Sequence, residues 1–275
     1  MRLKFLAASV AILFAHTIAA AAPKPAPALM TPTGPWNVDF ADKMCLLIRP
    51  YGKDRTTHLM LKPAMLGDNL EIIVTKETRG TRDARSGKAA LSIGGTPSAA
   101  ETSFTAYSTA TARLLRIWIK EDAIPLASVR GTLQIDAKPE GRHLFAIPDI
   151  ELALPILSKC LDQLRTVYKV SNADLAAIVT KPKAELAAFF STEDYPREAW
   201  STGKGGTVGV LIWVEATGRV STCEVIETSA APVLEKATCD VLIKRGKFTP
   251  GKDAAGRAVR APNFARVRWM PWPGY

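Results

Sequence analysis

The feature that most restricts the fold is a series of short segments with β-strand character between residues 36 and 146. Each is a few residues long, alternates or runs apolar, and is bounded by turn-forming residues, which is typical of an all-β unit. The segments are Trp36–Phe40, Met44–Arg49, Thr57–Leu61, Leu70–Glu77, Ala89–Ile93, Ser103–Tyr107, Arg113–Ile119, Gly131–Asp136 and His143–Ala146. The stretch Lys76–Lys88 is charged and lacks apolar periodicity, so we predict a solvated hairpin loop there, with a binding loop as the alternative.

An apolar stripe at helical spacing follows these strands. Its members recur at steps of three and four residues, which predicts a helix over Asp149–Tyr168. They are Ile150, Leu154, Leu157, Leu161 and Leu164. Pro155 lies inside this segment, so the helix either kinks there or begins close to it. We therefore predict that Trp36–Tyr168 is a mostly β domain, a sandwich or barrel with a closing helix.

The rest of the chain has a different order of elements. A connector over Lys169–Asp194 precedes a module over Tyr195–Tyr275, in which Gly218 provides the turn between two strands because glycine adopts positive φ freely. The predicted elements are the connector helices Asn172–Val179 and Lys183–Phe190, the strands Thr207–Glu215 and Arg219–Thr228, a helix that opens at Pro232, and a last strand Asn263–Trp269. This order predicts a two-layer module, a three-stranded antiparallel sheet with a packed helix. The fold class is therefore α+β.

The amino terminus has the layout of a secretory signal. Arg2 and Lys4 precede an apolar stretch that ends in an alanine run. We predict a signal peptide over Met1–Ala21, with cleavage before Ala22, and a proline-rich tether over residues 22–35. The alternative is an uncleaved inner-membrane anchor, because the apolar stretch is about long enough to span a bilayer. Either reading places the body of the chain in the periplasm, with membrane contact only if the leader is retained.

The four cysteines, Cys45, Cys160, Cys223 and Cys239, all follow the export segment. An even number of cysteines in an oxidising compartment indicates disulfides. Three pairings are formally possible, and the domain division favours Cys45–Cys160 and Cys223–Cys239.

The formal net charge of +10 is spread along the chain, with no basic stripe interleaved with aromatic residues. A nucleic-acid partner is therefore not predicted. No sequence motif for a nucleotide, a metal site or nucleophilic catalysis is present, and His58 and His143 are isolated in predicted strands. We predict no enzymatic activity, no cofactor and no metal.

The C-terminal module resembles the TonB C-terminal domain family over residues 195–269. The resemblance rests on an ordered set of residues. They are Tyr195-Pro196, Ala199, Gly203, Gly206, Thr207-Val208, Gly218-Arg219-Val220, Leu234 and Phe248-Thr249-Pro250. Ser229-Ala230 and Glu235 stand where the family often has Ser-Gly and an aspartate. A folded domain also occupies the place of the proline-rich rod of a TonB energy transducer.

The resemblance implies a peptide-binding module whose exposed sheet edge accepts an extended segment of a protein partner. A TonB-dependent outer-membrane receptor is such a partner, and transport energy coupling is the implied role. We predict that the last strand is the docking strand, because it follows the longest loop and should lie at the sheet edge. Its residues are Asn263, Phe264, Ala265, Arg266, Val267, Arg268 and Trp269. The alternative is an envelope scaffold or adaptor whose N-terminal β domain binds the main partner, and a homodimer is left open.

Overall fold

A computed structural model describes residues 27–53, 56–67, 69–78, 83–98, 102–120, 129–228 and 231–271. The predicted signal peptide, its cleavage site and the first residues of the tether lie outside the described residues. Within the described ranges, no helix combines the length and the apolar character that crossing a bilayer requires.

The N-terminal part is one large, mostly antiparallel sheet that curls into a half-barrel. Its strands in the described residues are β1 Leu29–Met30, β2 Asn37–Ala41, β3 Met44–Tyr51, β4 Thr57–Pro63, β5 Asn69–Glu77, β6 Ala84–Ile93, β7 Thr96–Pro97, β8 Thr102–Ser108, β9 Ala112–Lys120, β10 Thr132–Ala137 and β11 Gly141–Ala146. The order along the sheet is β1-β11-β10-β6-β8-β9-β5-β4-β3-β2, with β7 paired to β6. Because β1 and β2 end this path without pairing to each other, the sheet stays open as a half-barrel.

Strand β6 begins inside the stretch that was predicted to be a loop. Ala84 pairs with Tyr107 and Ala89 pairs with Thr102, so residues 84–88 belong to a β6–β8 ladder. The loop prediction was wrong for these residues because most of their side chains are exposed and carry no apolar alternation. The backbone ladder defines the strand there, and periodicity cannot report it.

The tether is held against this sheet from Leu29 onward. Strand β1 pairs in parallel with β11. The buried guanidinium of Arg49 donates from Nε to the Gly34 carbonyl at 2.9 Å, and the Trp36 indole donates to the Pro148 carbonyl at 3.1 Å. The last part of the proline-rich segment is therefore packed structure.

Helix α1, Ile150–Val167, lies along β2 and β3 and covers the concave core. Three residues of the predicted stripe are buried, Ile150, Leu157 and Leu164, whereas Leu154 and Leu161 are half-buried. Ala153 and Cys160, which were not predicted in the stripe, are buried beside them. Pro155 sits in the second turn and the helix continues through it, which settles the alternative that the helix starts there. The disulfide Cys45–Cys160 joins α1 to β3, with the two Cα atoms 6.0 Å apart.

The connector is more extended than predicted. Helix α2, Asn172–Ala176, begins with a capping box between Ser171 and Asp174, and the second predicted helix is only a 3-10 turn at Leu186–Phe189. Main-chain bridges from Thr180 and Lys183 to the strand region near Thr249 hold the chain extended before that turn. A short helix α3, Arg197–Ser201, then leads into the C-terminal module.

The C-terminal module has the predicted order of elements. They are β12 Gly206–Val214, β13 Val220–Glu227, α4 Pro232–Arg245, β14 Gly251–Lys252, β15 Ala258–Val259 and β16 Ala261–Trp269. The main sheet has the order β13-β12-β16 and is antiparallel, and α4 packs across one face. At the β12–β13 turn Gly218 has a φ of 82°, and an added Cβ would lie 2.1 Å from the Phe248 carbonyl oxygen.

The two faces of this sheet are buried against different partners. Val208, Val210 and Ile212 of β12 pack toward α4, which the disulfide Cys223–Cys239 ties to β13. Leu211 and Trp213, on the opposite face, belong to the core of the N-terminal part. The central strand therefore reads as a continuous apolar run because both of its faces are covered.

Candidate functional site

Strand β16 is an edge of the C-terminal sheet, as predicted. On one side it pairs with β12 along its whole length, from Ala261 opposite Val214 to Trp269 opposite Gly206. Within the part of the chain that the structure describes, no strand pairs with its other side. An edge of this kind presents unpaired main-chain donors and acceptors to an extended segment.

The direction of these main-chain groups follows from β12. The Ser221 hydroxyl of β13 donates to the Trp213 carbonyl at 3.3 Å, so the main chain of Trp213 faces β13. Its β16 partner Pro262 then points its main chain away from β12, a position where the missing N–H costs nothing. Because direction alternates along a strand, the N–H and C=O groups of Phe264, Arg266 and Arg268 point outward.

The opposite edge, β13, is partly occupied. The Lys43 ammonium, in the turn between β2 and β3, donates to the Val225 carbonyl at 3.0 Å. A lysine placed on an edge strand obstructs the addition of another strand. The N-terminal domain therefore covers part of one edge of the C-terminal sheet, and β16 remains the more open edge.

The predicted docking residues divide between two faces of β16. Ala265, Val267 and Trp269 are buried in the layer shared with α4. Trp269 is 6% exposed, and its indole donates to the Thr238 hydroxyl at 2.8 Å. These side chains have a structural role, because they are not accessible to a partner.

The remaining docking residues are Asn263, Phe264, Arg266 and Arg268. Phe264 is half-buried against the N-terminal core and Asn263 is half-buried beside it in sequence, while Arg266 and Arg268 are exposed. The two arginines line a cleft between the C-terminal sheet and the N-terminal strands. The accessible side chains of the edge are thus strongly basic.

An ion-pair network joins the two domains at this cleft. The carboxylate of Glu227 on β13 accepts two hydrogen bonds of 2.7 Å from Arg266 and one of 3.1 Å from Lys62 on β4. Burial opposes ionisation of Glu227. The hydrogen bond from Arg266 and the charges of Lys62 and Arg266 outweigh it and lower the pKa of this carboxyl to about 2.

A second buried carboxylate lies behind the first. Glu71 on β5 is 3% exposed and pairs with Arg116 on β9, while its other oxygen lies 3.6 Å from the Lys62 ammonium. Arg116 also lies over the Trp118 ring, 5.3 Å from its centre. These contacts fix the basic side chains of the N-terminal strands at the wall of the cleft.

The sequence predicted that the last strand lies at the sheet edge, but it did not predict the N-terminal wall of the cleft. Arg116 and Trp118 lie on the predicted strand Arg113–Ile119, and Lys62 directly follows the predicted strand Thr57–Leu61. Nothing in their local pattern distinguishes these residues from others on an exposed sheet face. Contacts across 165 residues, such as the one from Lys62 to Glu227, bring them to the site. The described residues contain no group of three or more His, Cys, Asp or Glu side chains placed to hold a metal ion.

The fold and the site together define a two-layer module, a helix packed on an antiparallel sheet, that presents an open sheet edge. Residues 192–270 match the family model described as Gram-negative bacterial TonB protein C-terminal, so this part of the chain is a TonB C-terminal domain. The domain family is non-catalytic, belongs to the cell envelope and implies a TonB-like role in energy transduction with TonB-dependent receptors. No family model matches the N-terminal part, and a search of curated proteins found no match to the chain.

Proposed function

We propose that this is an exported periplasmic protein that binds an extended segment of an envelope partner by strand addition to the outer edge of β16. A TonB-dependent outer-membrane receptor is the partner that the C-terminal domain implies, and transport energy coupling is the corresponding role. In this proposal the signal peptide is removed before Ala22. The N-terminal β domain, the connector and the C-terminal domain then belong to the exported part of the chain.

The observation that carries the proposal is the outward direction of three main-chain positions in β16. Phe264, Arg266 and Arg268 can each offer a donor and an acceptor to an added strand. Main-chain hydrogen bonds supply affinity in this mode of binding, and the side chains beside them supply specificity. The two disulfides found in the structure agree with export to an oxidising compartment.

Proline substitution tests the edge directly. Arg266→Pro should abolish retention of outer-membrane receptors by the immobilised full chain while leaving the circular dichroism spectrum unchanged, because it removes an outward N–H. Arg266→Ala is the matched control: it loses the same side chain but keeps the N–H, so it should retain binding that Arg266→Pro lacks, weakened only by the loss of the side-chain charge. Detergent-solubilised outer-membrane proteins serve as the probe, with mass spectrometry as the readout.

Val267→Pro supplies the second comparison. The main chain of Val267 faces β12, so proline there should break the ladder and unfold the C-terminal domain as well as abolish binding. If Arg266→Pro keeps the fold and still retains the receptors, the β16 edge is not the docking site.

That last outcome would favour the alternative, an envelope scaffold whose N-terminal β domain binds the main partner. The observation in its favour is the outer face of α1. Leu152 is 71% exposed and Val167 is 69% exposed on this helix. Exposed apolar side chains of this size on one helix are a feature of some contact surfaces.

A further inference from the structure

The cleft beside β16 is a gap between two sheets. Its C-terminal wall comes from the ends of β12, β13 and β16 that contain Gly206, Glu227 and Trp269. Its N-terminal wall comes from β3, β4, β8 and β9. Along the N-terminal sheet the lining runs from Lys62 on β4 to Thr105 on β8. The C-terminal sheet runs in the same sense, since Glu227 of β13 contacts Lys62 of β4 and Arg266 of β16 lies close enough to Arg116 of β9 for their charges to interact. A strand added outside β16 therefore lies above the β8 side of the N-terminal sheet.

The charged side chains lining this cleft are mostly basic. Its basic residues are Lys43, Lys62, Arg116, Arg266 and Arg268, and its acidic residues are Asp42 and Glu227. Glu227 is shared between Lys62 and Arg266, and Arg116 is paired with Glu71. Arg268 forms no ion pair within the described ranges, so its positive charge remains available beside the outer edge of β16, whereas the Lys43 ammonium is held at the Val225 carbonyl on the β13 edge.

We infer that the two domains form one composite binding site that selects an acidic extended segment. The inference rests on the proposed strand addition and adds the chemistry of the partner. Side chains of an added strand alternate between the two faces of the sheet, and those on the cleft face stand opposite Arg266 and Arg268. Carboxylates at these alternate positions meet basic groups from β16 on one side and from the N-terminal wall on the other.

The N-terminal domain thereby acquires a function in recognition. Its Lys43 obstructs the β13 edge, its Lys62 fixes Glu227 and Arg266, and its β9 presents Arg116 and Trp118 to the segment. Opposite charges directly across a strand pair are stabilising and like charges are destabilising. The site therefore discriminates against basic segments as well as favouring acidic ones.

A random ten-residue peptide library displayed on cells tests this inference with the full chain as bait. Peptides selected by the wild-type chain should be enriched in Asp and Glu at alternate positions. Replacing those carboxylates by amides should weaken binding about twofold to fivefold per position at low salt, and less at high salt, because the interaction is partly screened. Fluorescence anisotropy of labelled peptides gives the affinities.

A charge exchange shows which residue reads the carboxylate. Arg268→Glu should weaken the binding of acidic peptides about tenfold or more, because the opposite-charge pair becomes a like-charge pair. The same variant should bind more tightly to peptides that carry Lys at those positions. Lys159→Glu is the matched control, since it makes the same change in net charge at an exposed position of α1, away from the cleft. It should leave both affinities within about twofold, as expected for distant surface charges screened by salt.

The outcomes separate the two proposals. If the selected peptides fail to bind Arg266→Pro but are not enriched in Asp and Glu, the composite acidic site is contradicted and strand addition is still supported. Strand addition itself would be contradicted if the selected peptides bound Arg266→Pro as tightly as the wild type, or if the library yielded no binders. Vesicles of phosphatidylglycerol and phosphatidylcholine provide the last arm. Vesicle binding that depends on Arg268, without acidic peptide binding, would assign the basic cleft to a lipid surface and overturn the inference.

Discussion

Replacing both Cys45 and Cys160 by alanine is expected to lower the free energy of unfolding of the N-terminal domain by about 4–5 kcal/mol. The bridge closes a loop with a sequence separation of 115, and a crosslink over so long a loop restricts the unfolded chain strongly in the chain-entropy model. It also holds α1 over the concave face of the half-barrel, where both cysteines are almost fully buried. Urea unfolding of the oxidised chain, followed by circular dichroism, measures the change.

The second disulfide is the matched control for the first. Cys223 and Cys239 are 16 positions apart, so replacing both by alanine should cost less, about 3 kcal/mol in the same model. The effect should also be confined to the C-terminal domain. A larger loss for the short loop than for the long one would contradict the loop-closure explanation and would point to packing around the sulfurs instead.

Acidification should weaken the contact between the two domains through Glu227. Its pKa falls from 4.5 to about 2 in the folded chain, so the stabilisation is fully present above pH 4.5 and is lost as the pH falls toward 2. A shift of this size corresponds to about 3 kcal/mol. The carboxylate holds Lys62 and Arg266 together, so its protonation weakens the contact between β4 and the C-terminal sheet.

Glu227→Gln should remove this pH dependence and lower stability at neutral pH by an amount of the same order. Urea unfolding of the wild-type and variant chains at several pH values between 2 and 7 would show curves that converge toward the acid end. Glu224→Gln is the control, since Glu224 is exposed on the same strand and forms no ion pair in the described residues. The role of the network would be contradicted if the difference in free energy of unfolding between the wild-type chain and Glu227→Gln were as large at pH 2.5 as at pH 6.

Removing the Glu227 charge also bears on recognition. Arg266 would lose its bidentate pair with the carboxylate, keeping one acceptor oxygen at most, and could then contact a bound segment in other geometries. The network therefore connects domain docking to the composition of the cleft. The pH dependence of unfolding, the Glu227→Gln variant and the peptide selection therefore test the same group of side chains by independent measurements.

Much of the local structure was predictable from the sequence. The strands of the N-terminal domain, helix α1 and the order of elements in the C-terminal module were confirmed, because each depends on periodicity among near neighbours. Both disulfides were confirmed because each domain contains one pair of cysteines. Prediction failed at residues 84–88, where exposed side chains hide a strand, and it overestimated the helix after Lys183, where main-chain bridges to residues near Thr249 hold the chain extended.

The sequence by itself determined the α+β class, the division into an N-terminal β part and a TonB-type C-terminal part, and the strand on which docking is proposed. Only the tertiary structure decided the strand order of the half-barrel, in which β5 pairs with β9, and β8 and β6 follow on the other side of β9. It also decided which sheet edge stays open, because Lys43 reaches a β13 carbonyl 182 residues away. The physical reason is that side-chain alternation reports only which face of a strand is buried. Which surfaces meet depends on contacts between residues far apart in the chain, and those contacts create the basic cleft.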